Sequence, residues 1–258
     1  MPTVNVAGEP LFYSLYSGDI TGQYNLVLVH GAGGSHIHWP AELRRLAGVN
    51  VYALDLPAHG RSRGRARTSL QSYADTVHLF VLTIGLQRAS VLGHSMGGAI
   101  AQLLALRQPR WLEKVIIVGS SARLHVQPLI LEYLNPQAGT DGFEKALDLI
   151  CQQAYGPRVS REMVRRGRQL LRTVPSSVMY ADYLACAQFD ISNTVGNITL
   201  PALIICASED RLTPPEESCS LAQRIPSAQL EIIQGAGHLV IVEKPAEVAA
   251  AVSRFLGA

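Results

Sequence analysis

The sequence predicts an α/β fold: a doubly wound, mostly parallel sheet that carries a helical insertion. Three observations lead there. From residue 26 onward, short β-branched apolar runs alternate with longer helical patterns, as βαβ units do. Most of those runs are continuously apolar instead of alternating, which is what strands buried on both faces require. The alternation then lapses between residues 120 and 195, where the pattern is helical and rich in aromatics.

The opening stretch, Val4–Val6 and Leu11–Tyr16, reads as an antiparallel hairpin leading into the sheet. Strands follow at Leu26–Val29, Val49–Leu54, Ala89–Leu92, Lys114–Val118, Ala202–Ala207 and Leu230–Ile233. Helices are expected over 36–47, 71–86, 96–108, 215–224 and 244–256. Residues 1–119 and 196–258 therefore form the two halves of a core, and 120–195 form an inserted helical unit. A structureless loop of that length would be out of place in a compact domain. Tyr133, Phe143, Tyr155, Tyr180, Tyr183 and Phe189 fall inside the insertion, either as its own core or as walls of a binding site.

Composition narrows the function classes. With 258 residues, 48% of them hydrophobic, the chain can bury a full core without disulfide or metal staples. Only 16% are charged, which argues against disorder. A net charge of +2 offers no basic face for nucleic acid. Nineteen arginines stand against three lysines, a bias that no local pattern explains. No window of 18 continuous apolar residues predicts a membrane span. The N-terminus lacks the basic and apolar regions of a signal peptide, so a cytoplasmic location is expected. Cys151, Cys186, Cys206 and Cys219 are dispersed without CxxC spacing; they read as free thiols, and neither a metal nor another cofactor is expected.

One motif carries chemistry. The strand ending RASVLG runs into His94-Ser95-Met96-Gly97-Gly98 and then a clear helix. That is G-x-S-x-G at a strand-to-helix turn. There a serine sits on a strained elbow, and glycines two residues away on each side let backbone pass closely. The helix that follows aims its free N–H groups at the serine oxygen. Upstream, Leu26–Val29 ends in His30-Gly31-Ala32-Gly33-Gly34. The amides of Ala32 and Met96 together offer a site for a developing oxyanion. A phosphate cradle is the competing reading of the glycine turn, but neither GxGxxG nor a P-loop spacing is present.

A serine nucleophile needs a base and an orienting acid. His238, in GAGHL, lies after the last strand at the sheet's carboxyl edge. Asp210, in ASEDRLTPP, follows the strand ending at Ala207 at the same edge, with Glu209 as its solvated neighbour. The loop after Val118 reads Gly-Ser-Ser-Ala and holds no carboxylate. His94 reads as a packing residue behind the serine, and His30, His59, His78 and His125 as turn, surface or packing residues. His36 and His38 start a helix near the glycine turn and could touch substrate.

The order Ser95, Asp210, His238 resembles that of the α/β-hydrolase superfamily. HGAGG at 30–34, DLPAHGRS at 55–62, GHSMGG at 93–98, SEDRLTPP at 208–215 and GAGHLVIVEKP at 235–245 carry the resemblance over most of the chain. Ala58 departs from it, standing where relatives commonly have glycine. The resemblance implies a Ser95–His238–Asp210 triad, an oxyanion hole at the Ala32 and Met96 amides, and a cap formed by 120–195. It implies a serine hydrolase acting through an acyl-enzyme on small apolar esters or lactones, without cofactor, nucleic-acid or membrane partner. Alternatives remain open: a carbon–carbon hydrolase of ring-cleavage diketones, which usually has tryptophan where Leu239 stands; a perhydrolase; or a ligand receptor derived from a hydrolase. Serine at the elbow disfavours the related dehalogenases and epoxide hydrolases, which use aspartate there. Arg161, Arg165, Arg168 and Arg172 form one helical stripe of the insertion, read as a solvated outer face or, alternatively, a carboxylate-binding one.

Overall fold

The computed structural model describes residues 2–17 and 24–258. Eight strands form one sheet: β1 (Thr3–Val6), β2 (Glu9–Ser17), β3 (Tyr24–Val29), β4 (Val49–Leu54), β5 (Ala89–His94), β6 (Leu112–Val118), β7 (Ala202–Ala207) and β8 (Ala228–Ile233). Their order is β1-β2-β4-β3-β5-β6-β7-β8, antiparallel at β1–β2 and β2–β4 and parallel everywhere else. From β3 the chain moves to one side to make β4, then crosses back to place β5 on the other side. The crevice beyond the carboxyl ends of β3 and β5 is therefore the switch point where open α/β sheets bind ligands.

Strand alternation feeds two cores. Leu26, Leu28, Val51, Leu92, Ile116, Leu203 and Ile205 face α1 (Ala41–Arg44) and α10 (Pro245–Leu256). Val27, Val29, Val91, Val115, Ile117 and Ile204 face α2 (Leu70–Thr83) and α3 (Met96–Arg107). Successive side chains point to opposite faces, and both faces are dry, hence the unbroken apolar strands. β8 departs from that expectation. It is the sheet edge, and Leu230 and Ile232 stay 38% and 40% exposed.

Four helices fill the connection from β6 to β7: α4 (Pro128–Leu134), α5 (Gly139–Ala154), α6 (Arg161–Arg172) and α7 (Ser176–Ala187). Its two ends are zipped together where Ile191 N–H donates to Ala122 O at 2.8 Å and Arg123 bridges Asp190. The helices α8 (Pro215–Arg224) and α9 (Val240–Glu243) complete the set.

Two further sequence expectations change. The helix over 36–47 splits into a 3-10 turn at His36–His38 and the short α1. Pro40 is the reason: it holds Trp39 extended, at φ −80° and ψ 124°, and has no N–H to donate. The arginine stripe is not a purely solvated face. Arg168 pairs with Glu144 (2.8 Å) and Asp148 (2.6 Å), and Arg172 with Glu144 (2.7 Å), so half of the stripe pins α6 to α5.

Candidate active site

Ser95 occupies the turn between β5 and α3 at φ 55°, ψ −117°, a strained conformation for a residue with a side chain. The neighbours explain how it is held. Its N–H continues the sheet ladder to Val118 O at 2.8 Å, and its carbonyl accepts from Gly98 N at 2.8 Å. A Cβ on Gly93 would collide with the Gly97 carbonyl, and one on Gly97 with the Val29 carbonyl, so both glycines of the motif are sterically obligatory.

Asp210 and His238 meet across the loops after β7 and β8. His238 Nδ1–H donates to Asp210 Oδ2 at 2.9 Å. Asp210 Oδ1 accepts the amides of Leu212 and Thr213, at 2.8 and 2.9 Å, and the Thr213 hydroxyl donates to Oδ2 at 2.8 Å. Burial alone would raise the Asp210 carboxyl. The His238 ring and the Thr213 donors outweigh it and hold the group below the usual carboxylate value. Thr213 went unnoticed in the sequence, although Asp-x-x-Thr at a strand end is the spacing of such a turn. Glu209 is exposed.

Ser95, His238 and Thr213 line one cavity of about 470 Å³. No hydrogen bond joins the Ser95 hydroxyl to His238 among the described residues. Ala32 also lines this cavity, while the Met96 side chain is fully buried beneath it. The rest of the wall is mainly apolar, from Ile130, Ile150, Met163 and Leu171 of α4–α6 to Leu212 and Leu239. Of the insertion's aromatics, Tyr155 and Tyr183 line the cavity, and burial pushes the Tyr155 phenol up to about 12. Tyr133, Phe143 and Tyr180 pack among the insertion's own helices, and Phe189 joins the main core.

The other histidines divide by their partners. His94 donates from Nε2 to the His238 carbonyl at 2.9 Å; burial, with the His238 ring adding to it, pushes its pKa down to about 3. His30 donates from Nδ1 to Gly31 O (2.8 Å) and accepts the Leu56 amide at Nε2 (3.1 Å), which fixes its neutral tautomer; burial lowers its pKa well below the ordinary value. His38 lines the cavity, whereas His36 bonds the buried Asp55 at 2.9 Å and does not reach it. His59, read above as a turn, surface or packing residue, is a buried partner of Asp182 in α7. Ala58 beside it sits at φ 66°, the left-handed conformation that makes glycine the common choice there.

No group of three or more His, Cys, Asp or Glu among the described residues is arranged to hold a metal. No helix among them is long and apolar enough to cross a membrane.

Residues 26–251 match the model of an "Alpha/beta hydrolase family". The chain is 29% identical to a protein of Caulobacter sp. (strain K31) designated a carbamate hydrolase, RutD, with 96% of each chain covered. It is 31% identical to a thermophilic esterase of known structure, at a TM-score of 0.84, covering 99% of this chain and 96% of that one. The fold also superposes on the enol-lactonase of Burkholderia xenovorans LB400 at a TM-score of 0.90, over 100% of both chains at 22% identity.

Proposed function

The chain belongs to the alpha/beta hydrolase family, and on that premise we propose that it is a serine hydrolase. Its substrates are small, apolar carboxylic esters or lactones, and it works through an acyl-enzyme. The observation that carries this reading is His238, oriented by Asp210, in the wall of the same apolar cavity as Ser95 on its strained elbow. The relatives named for ester and carbamate hydrolysis support the reaction class.

Ser95 Oγ attacks the carbonyl carbon while His238 Nε2 takes its proton. Asp210 keeps the other ring proton on Nδ1 and stabilises the imidazolium that forms. The carbonyl oxygen, now negative, is held by the Ala32 and Met96 amides, neither of which has an acceptor among the described residues. Each such donor stabilises the transition state by about 3–4 kcal/mol. His238 then gives its proton to the departing alkoxide. A water attacks the acyl-enzyme by the same route in reverse, releasing the acid and restoring Ser95. The helices α4–α7 act as a cap: their apolar side chains close the cavity over Ser95 and select an apolar acyl or alcohol group.

Hydrolysis of p-nitrophenyl butyrate tests the assignment. The protein turns over continuously, and Ser95→Ala loses the activity while keeping the wild-type circular-dichroism spectrum. Near-normal turnover by Ser95→Ala would remove Ser95 from the mechanism.

A further inference from the structure

Asp182 is the one charged residue of α7, and it is completely buried. Its partners come from three other parts of the chain. Oδ2 accepts the Gly33 amide at 2.8 Å and His59 Nε2–H at 2.8 Å; Oδ1 accepts the Tyr73 hydroxyl at 2.7 Å. The Gly33 contact is the consequential one, because Gly33 follows Ala32 in the glycine turn. Gly33 sits at φ 63°, and Met179 of the same helix occupies the space a Cβ would need. α7 therefore presses on this turn with a carboxylate and a thioether at once.

The turn itself transmits that hold. The Ala32 N–H shares a peptide plane with the Gly31 carbonyl. That carbonyl accepts the Gly34 amide at 2.9 Å and His30 Nδ1–H at 2.8 Å. With Gly31 O fixed on one side and the Gly33 amide fixed by Asp182 on the other, the Ala32 N–H has one direction left to it. We propose that Asp182 is a positioning residue: its bond to Gly33 keeps the Ala32 amide aimed at the reacting oxygen, so turnover requires α7 to be seated on the glycine turn. This rests on the serine-hydrolase reading and deepens it.

The test compares Asp182→Ala and Asp182→Asn with wild type, using p-nitrophenyl butyrate and butaneboronic acid. The boronic acid adds to the serine and presents a tetrahedral oxygen to the same amides. Asp182→Ala lowers kcat by roughly 10- to 100-fold, the size expected for misplacing one donor, with KM changed less than about threefold. Its boronate affinity falls in parallel with kcat. Asp182→Asn retains an oxygen that accepts the Gly33 amide and recovers most of the rate. Where Asp182→Ala fails to fold, His59→Phe/Asp182→Leu replaces the buried pair by apolar groups and still removes the acceptor; the same losses are expected. Wild-type kcat and boronate affinity in either acceptor-less variant overturn the proposal while leaving Ser95 catalysis intact. Equal damage from Asp182→Asn and Asp182→Ala also overturns it. Full activity in Ser95→Ala, assayed alongside, would sink both readings.

Discussion

Two buried aspartate–histidine pairs stand out among the described residues, and they differ in what the second ring nitrogen meets. In the Asp210–His238 pair, Nδ1–H is bound at 2.9 Å, and His238 also lines the cavity that Ser95 lines. In the Asp182–His59 pair both nitrogens are occupied, Nε2 by the carboxylate at 2.8 Å and Nδ1 by the Pro57 carbonyl at 2.9 Å. Carboxylates and carbonyls only accept, so each of these two bonds asks a proton of His59, and together they favour the imidazolium. Burial opposes that charge, but the Asp182 carboxylate outweighs burial and raises the His59 pKa. In the proposed mechanism the same two side chains thus make a base where one nitrogen is left open, and a tether where both are tied.

The widest separation between the pairs is expected in turnover. His238→Ala lowers kcat on p-nitrophenyl butyrate by about 10⁴-fold or more, and Asp210→Asn by about 10⁴-fold through loss of the correct tautomer, with a smaller fall in unfolding temperature than His59→Ala. Equal kcat losses in His59→Ala would erase the distinction between the pairs. In stability the ranking reverses. His59→Ala strands the buried Asp182 charge and costs about 3–5 kcal/mol, a fall in Tm of about 10 °C or more by calorimetry. An unchanged Tm would show that the pair is not charged.

The pH dependence separates them further. A pKa raised in the folded state contributes stability that is fully present below the unfolded value and is lost as pH rises through the folded one. His59, faced by Asp182, Tyr73, Asp55 and the neutral His30, therefore predicts a decline in Tm on the alkaline side that His59→Phe/Asp182→Leu abolishes. Asp210 is lowered instead, so its contribution is present above the unfolded carboxylate value and is lost as pH falls through the folded one. Acid scans of Asp210→Asn should lack that component. The smallest effect lies next to the tether: Ala58→Gly relieves a left-handed alanine and stabilises by about 0.5–1 kcal/mol, without altering kcat. A loss of stability would mean that the turn tolerates Ala58 unstrained.

The two pairs also differ in how legible they were. The core strands, the elbow at Ser95, Asp210 and His238 were readable because each follows a strand and carries a local pattern of glycines or a turn. Asp182 and His59 are 123 residues apart, and nothing near either one announces the other. One clue was present: a lone carboxylate in the otherwise uncharged α7 needs a buried partner. The break at Pro40 was readable too, but the amphipathic run across 36–47 masked it. The exposed β8 followed from its place at the sheet edge, which no strand pattern discloses. Residues 120–195 showed helical character but not which side chains would face the cavity, since that depends on how α4–α7 pack on one another.

Covalent labelling by a fluorophosphonate, read by intact mass and peptide mapping, tests the central assignment most directly. One adduct per chain should form on Ser95 in the wild-type protein and in Tyr73→Phe, and none on the same timescale in His238→Ala. Labelling at another residue, or at an undiminished rate in His238→Ala, would contradict it.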